Sequence, residues 1–115
     1  MTKEIGVLEK HIVDMGERDF VPDETMKLLT HSVNLFSFVS WGVKKIIVVG
    51  KCDDGYVRGM ILNVHTPKYK GMVLITLSFM DYYEVRLLDK GYNVTDVRNE
   101  IFISDLVPTI NDLIS

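Results

Sequence analysis

The chain has 115 residues, 47% apolar and 25% charged, with a formal net charge of −3. That is an ordinary size for one domain, and a chain this long buries roughly two-thirds of its unfolded surface, enough for a core without covalent staples. The composition excludes a fibrous repeat and a polycation, and Cys52, the single cysteine, excludes an intramolecular disulfide or a cysteine-built zinc site within one chain.

The opening residues Met1-Thr2-Lys3-Glu4 lack the basic and apolar regions of a signal peptide. No apolar run approaches the ~20 residues of a membrane span. The expectation is a soluble, cytoplasmic protein forming one α+β domain over residues 1–115, with no cofactor, no metal and no membrane partner.

Ile5, Leu8, Ile12 and Met15 recur at helical spacing and predict a first helix from residue 2 or 3 to about 15, with Gly16 as its stop. Gly6 weakens it by about 1 kcal/mol relative to alanine. After a short linker at 17–21, Pro22, Asp23 and Glu24 open a second helix. Its apolar stripe is Met26, Leu29, Val33 and Phe36, and the spacing carries it to a cap at Gly42, with Trp41 seating the last turn on the sheet. Phe36 and Phe38 alternate with serines as a strand would, but no breaker interrupts the stripe, and residues 35–40 read as helix.

Residues 43–52, 56–64, 72–78 and 82–89 follow as four β-rich runs, separated by Asp53-Asp54-Gly55, by residues 65–71 and by a corner near Phe79-Met80. Strands joined this closely pair antiparallel, because a parallel pair needs a crossover of a dozen or more residues. Ile46-Ile47-Val48-Val49 is apolar on both faces and predicts an interior strand or one covered on both sides. Val73, Ile75, Leu77 and Phe79 share a face, as do Tyr83, Val85 and Leu87, while Glu84 and Arg86 lie on the opposite, wetter face. Asp89-Lys90-Gly91 marks a turn before a polar fifth strand at 92–98, suited to an edge. Ser104 and Asp105 can cap a terminal helix with Leu106, Ile110, Leu113 and Ile114 inward and Pro108 in its first turn. The predicted fold is an antiparallel β-meander of about five strands, with N-terminal helices and a short C-terminal helix on one face.

No constellation for catalysis emerges. His11, His31 and His65 lack metal-ligand spacing, Cys52 lacks a neighbouring base, and Asp53-Asp54-Gly55 is a hairpin turn rather than a calcium loop. The reading is a non-enzymatic protein with no catalytic residue.

Charge distribution is more informative. Residues 44–71 carry six basic and two acidic side chains, whereas 1–43 carry four and seven, and 72–115 three and seven. Lys44, Lys45, Lys51, Arg58, Lys68 and Lys70, with Tyr69 as a stacking surface, form a candidate nucleic-acid-binding segment. The bland alternative is that these cations solvate strand ends and pair with the acidic helices. Tyr82, Tyr83 and Tyr92 are candidate contacts for a protein partner or a second copy, tyrosine being favoured at interfaces.

The segment Leu74-Ile75-Thr76-Leu77-Ser78-Phe79-Met80-Asp81-Tyr82-Tyr83-Glu84-Val85 resembles the I-T-L-N-x-M-D-L-Y-D-V signature of small uncharacterised proteins from gut-bacterial phages and mobile elements, with Ser78 in place of the turn asparagine. Upstream, Trp41-Gly42 and Gly50 are similar to that family's helix-end glycines and second glycine, and residues 99–110 to its terminal acidic-aromatic helix. The resemblance implies a hairpin at Phe79-Met80 and an accessory protein of a phage or mobile element. It implies no activity.

Overall fold

The computed structural model describes residues 10–52 and 54–115. Its elements are helix α1 (Pro22–Thr30), helix α2 (Leu35–Ser40), strands β1 (Lys45–Val49), β2 (Gly59–His65), β3 (Lys70–Leu77), β4 (Tyr83–Leu88) and β5 (Val94–Ile101), a 3-10 turn (Ile103–Asp105) and helix α3 (Leu106–Ile114). The turns between strands are too short for crossovers, and each strand pairs with the next in the order β1-β2-β3-β4-β5, antiparallel throughout. The predicted α+β class and five-strand meander are what the chain adopts.

Alternation places Leu62, Val64, Val73, Ile75, Tyr83, Val85 and Leu87 in one core, together with Leu29 of α1, Trp41, and Leu106, Val107, Ile110, Leu113 and Ile114 of α3. Pro108 lies in the first turn of α3, where a missing N–H removes no helical bond. The predicted cap is not made, since Asp105 precedes α3 without a side-chain bond to it.

The opposite face carries a second, smaller core. Ile12, Val49, Ile61, Leu74 and Leu88 are buried there, with Val13, Met15, Ile47, Met72 and Tyr92 packed against them. Residues 10–13 are helical and bring Ile12 onto this face. Residues 14 and 15 form a turn, and the part of the first predicted helix before residue 10 lies outside the described residues.

Three expectations are corrected. The second helix is not continuous to Gly42: it ends at Thr30, His31 turns out at ψ 147°, and Asn34 Nδ2 donates to the Leu28 carbonyl, closing the break. The chain re-enters helix in α2 with Trp41 buried behind it and with Val33 and Phe36, members of the predicted stripe, in solvent. Strand β1 is an edge rather than an interior strand, because a meander gives its first strand only one neighbour, and Ile46 and Val48 are exposed. Strand β2 starts at Gly59 instead of Tyr56, because Val57 exchanges backbone hydrogen bonds with Phe20 of the linker.

Gly42 caps α2 as expected. It sits at φ +60°, and a Cβ there would fall 2.5 Å from the His65 carbonyl oxygen, so neither its backbone angle nor its surroundings admit a side chain.

Candidate interaction surfaces at the two ends of the sheet

Strand polarity gathers the start of β1, the β2–β3 turn and the β4–β5 turn at one end of the sheet. His65 lies opposite Lys70, and Lys45 opposite Asn63. Lys44, Asn63, His65, Lys70, Lys90 and Tyr92 line a cleft of about 380 Å³ there. Among the described residues, Lys44, Lys70 and Lys90 form no ion pair. Asp89 adjoins Lys90 but faces its own turn, accepting from the Gly91 N–H at 2.8 Å and the Asn93 N–H at 2.9 Å. Those backbone donors, Asn93 foremost, hold its carboxyl below the usual carboxylate range. Tyr92 occupies the left-handed region at φ 65°, unusual for a bulky side chain.

The predicted basic segment divides. Lys44, Lys45 and Lys70 share the cleft end. Lys51 and Arg58 lie at the far end, where Arg58 Nε donates to Asp19 Oδ1 at 2.6 Å and its Nη1 to the Gly16 carbonyl at 3.0 Å. Lys68 Nζ donates to the Asp112 carbonyl of α3 at 3.2 Å. Tyr69 is an internal strut, its hydroxyl 2.8 Å from the Leu88 carbonyl and 3.3 Å from that of Met72, and burial raises its pKa above the usual tyrosine value. A ring held this way offers no platform to a base. His65, at the end of β2 within the basic segment but not itself a lysine or arginine, and Lys90, in the β4–β5 turn beyond that segment, complete the cleft, and sequence reasoning left both out of it.

The other end is apolar. Phe79 and Met80 stand exposed at the tip of the β3–β4 turn, and Phe102 and Ile103 are exposed where β5 gives way to α3. The Tyr82 ring meets Phe102 edge-on, centroids 5.1 Å apart at 77°, an arrangement favoured by aromatic quadrupoles. Met80, Tyr82, Phe102 and Ile103, with Asp81 and Ser104, line an open depression of about 540 Å³.

The turn is tied down. Ser78 accepts from the Asp81 N–H through its carbonyl at 3.0 Å and from the Tyr82 N–H through Oγ at 3.2 Å. Glu17 accepts from the Phe79 N–H at 3.0 Å, and the Arg18 guanidinium pairs with Asp81.

The three predicted contact tyrosines therefore do not form one surface. Tyr82 borders the apolar depression and Tyr92 the lysine cleft, while Tyr83 is buried, sharing a 2.8 Å hydrogen bond with the Thr25 hydroxyl. Burial raises the Tyr83 pKa, and it belongs to the core.

One further surface was not legible in advance. Val33, in the turn before α2, and Phe36 and Val39, on α2, are 81, 93 and 68% exposed. The helix is fixed behind them through Asn111 of α3, which accepts from Trp41 Nε1 at 2.6 Å and donates to Ser37 Oγ at 2.8 Å.

His65 stands at the cleft end, away from Cys52 and Asp81 at the other. Among the described residues no group of three His, Cys, Asp or Glu side chains could hold a metal ion. No helix among them is long and apolar enough to cross a membrane. Comparison with known proteins finds no matching family model, no matching curated protein and no matching solved structure.

Proposed function

We propose that this chain is a non-enzymatic protein-interaction module whose contact surface is the apolar end of the sheet. The observation that carries this reading is the convergence of Met80 with Phe102 and Ile103, large exposed apolar side chains from two separate segments, around Tyr82, with Phe79 exposed next to Met80 at the turn tip. Aromatic residues and methionine are enriched at protein interfaces, and clustered exposed apolar surface marks contact sites in soluble proteins. Because Glu17, Arg18 and Ser78 already hold the turn, a partner orders little on docking, which favours affinity. The separation of His65 from Cys52 and Asp81 supports a binding rather than a catalytic role. The resemblance of residues 74–85 to proteins of phages and mobile elements supports an accessory role in such an element.

The test compares the wild-type chain with a Phe79→Ser, Met80→Ser double variant in light scattering and in affinity capture from host cells. Loss of self-association or of a captured protein in the variant, with an unchanged unfolding midpoint, supports the reading. A strictly monomeric wild type whose captured proteins are the same as the variant's removes it.

A further inference from the structure

We infer that the lysine-lined cleft is a phosphate-recognition site for single-stranded nucleic acid, in which Lys44, Lys70 and Lys90 hold backbone phosphates and the Tyr92 ring receives a base. The site lies at the end of the sheet opposite the apolar contact surface and stands or falls independently of it.

The first ground is the contrast between the two kinds of cation. All four arginines are ion-paired: Arg18 with Asp81, Arg58 with Asp19, Arg86 with Glu84 at 3.8 Å and Arg98 with Asp96 at 2.9 Å. The chain has 16 carboxylate side chains for 13 lysines and arginines, so partners are abundant. Yet none of the described lysines is ion-paired, and three of them, Lys44, Lys70 and Lys90, are brought from three separate segments to one cleft. Gathering like charges without counter-ions opposes folding, and a bound anion relieves that repulsion. Asp89, the nearest acid in sequence, is occupied by the Gly91 and Asn93 N–H groups.

Acids stand at both ends of the sheet, and those near the cleft already accept hydrogen bonds, Asp89 from its own turn and Asp96 from Arg98. Lys70 and Leu77 mark the two ends of β3, about 23 Å apart at 3.3 Å per residue. The acids at the far end, Asp19, Asp54 and Asp81, thus lie nearly three Debye lengths away at physiological salt, where that length is about 8 Å.

The second ground is the wall of the cleft. Asn63 and His65 add hydrogen-bonding groups beside the lysines, and Tyr92, partly buried against the second core, adds an aromatic ring to the cleft wall in a strained left-handed turn. Lysine plus an aromatic ring is the combination that grips an unstacked nucleotide, the cations tracking phosphate and the ring stacking on the base. A duplex hides its base faces and cannot use the ring.

The experiment is fluorescence anisotropy with labelled 12-nucleotide single strands, titrated across a salt series, with tripolyphosphate and an unlabelled hairpin duplex as competitors. The wild type is expected to bind with strong salt dependence, and a Lys44→Glu, Lys70→Glu, Lys90→Glu variant to bind at least tenfold more weakly with a shallower salt slope. Lys51→Glu, at the other end of the sheet, is expected to leave binding within twofold. Tyr92→Phe is expected to retain affinity, and Tyr92→Leu, which keeps apolar packing without a π-face, to lose about fivefold.

Several results would overturn the inference: no binding at low salt, equal loss from Lys51→Glu and the triple variant, or equal affinity of the Tyr92→Phe and Tyr92→Leu variants. Competition by tripolyphosphate or duplex as effective as by the single strand would also overturn it, assigning the cleft to phosphate charge alone.

Discussion

At the end of the sheet built around the β3–β4 turn, Arg18 and Arg58 each face an aspartate, whereas at the other end Lys44, Lys70 and Lys90 face no carboxylate among the described residues. The arginines fasten the 16–21 linker to the sheet: Arg58 reaches the Gly16 carbonyl as well as Asp19, and Arg18 reaches the turn that carries Met80. A planar guanidinium with several fixed donors suits such multi-point ties, and a flexible ammonium does not. The lesson is local to the two ends: Arg18 and Arg58 hold segments together, whereas Lys44, Lys70 and Lys90 line a surface left open. Substitutions at the two ends should then fail in different ways.

The largest effect is expected from Phe20→Ala. Phe20 is buried and exchanges backbone hydrogen bonds with Val57, so removing its ring leaves a cavity beneath the linker and should lower stability by about 3–5 kcal/mol in urea unfolding. A loss under about 1 kcal/mol would mean that the linker is not part of the cooperative fold.

Next comes a direct contrast between the ends. Arg58→Ala should cost about 1 kcal/mol, a modest figure because the pair is more than a third exposed. Lys70→Ala should change stability by no more than about 0.5 kcal/mol. Equal losses would erase the distinction drawn here.

Alkaline pH probes one tyrosine hydroxyl near each end, partly buried in Tyr69 and buried in Tyr83. Tyr69 and Tyr83 both have pKa values raised above 10.0, mainly by burial, so the folded state keeps its phenol protons after the unfolded chain has begun to release them. Their stabilisation is complete below pH 10 and is lost as pH rises through the folded values. Tyr69→Phe and Tyr83→Phe should each flatten that alkaline decline. If neither does, the hydroxyls are not sequestered as described.

The smallest effect is expected at Asp89. Its pKa is lowered by the Asn93 and Gly91 N–H groups, so its contribution is present above the unfolded value of 3.8 and is lost as pH falls through the lower folded value. Asp89→Ala should show a shallower acid decline than the wild type, and an identical acid limb would remove the carboxylate from the turn.

Much of the architecture was legible because turn chemistry and strand periodicity act locally. Gly55 at φ +87° and the Asp89–Tyr92 turn fall where their residue types predicted, and the meander follows from connection length alone. The break between α1 and α2 was not legible. Val33 and Phe36 continue the helical apolar spacing, and only the bond from Asn34 to the Leu28 carbonyl and the anchoring of Trp41 by Asn111 show that the stripe ends at Leu29. Strand β1 misled for a related reason, since burial depends on neighbours: Ile46 and Val48 look like core residues but lie on a strand with one partner. For the lysine end, sequence order supplied a basic segment, but chain reversal decided its members, removing Lys51 and Arg58 and admitting His65 and Lys90.

Gly42 joins two parts of the molecule that otherwise look unrelated. The Trp41 carbonyl accepts from the His65 N–H at 2.9 Å, and the bare Cα that follows rests against the carbonyl of the same histidine. The helix displaying Phe36 and the groove displaying Lys44 and His65 thus meet at a single knuckle, with no slack between them. A methyl group at residue 42 would force that knuckle apart, so even Gly42→Ala should disturb both surfaces together, a reach out of proportion to the one carbon added.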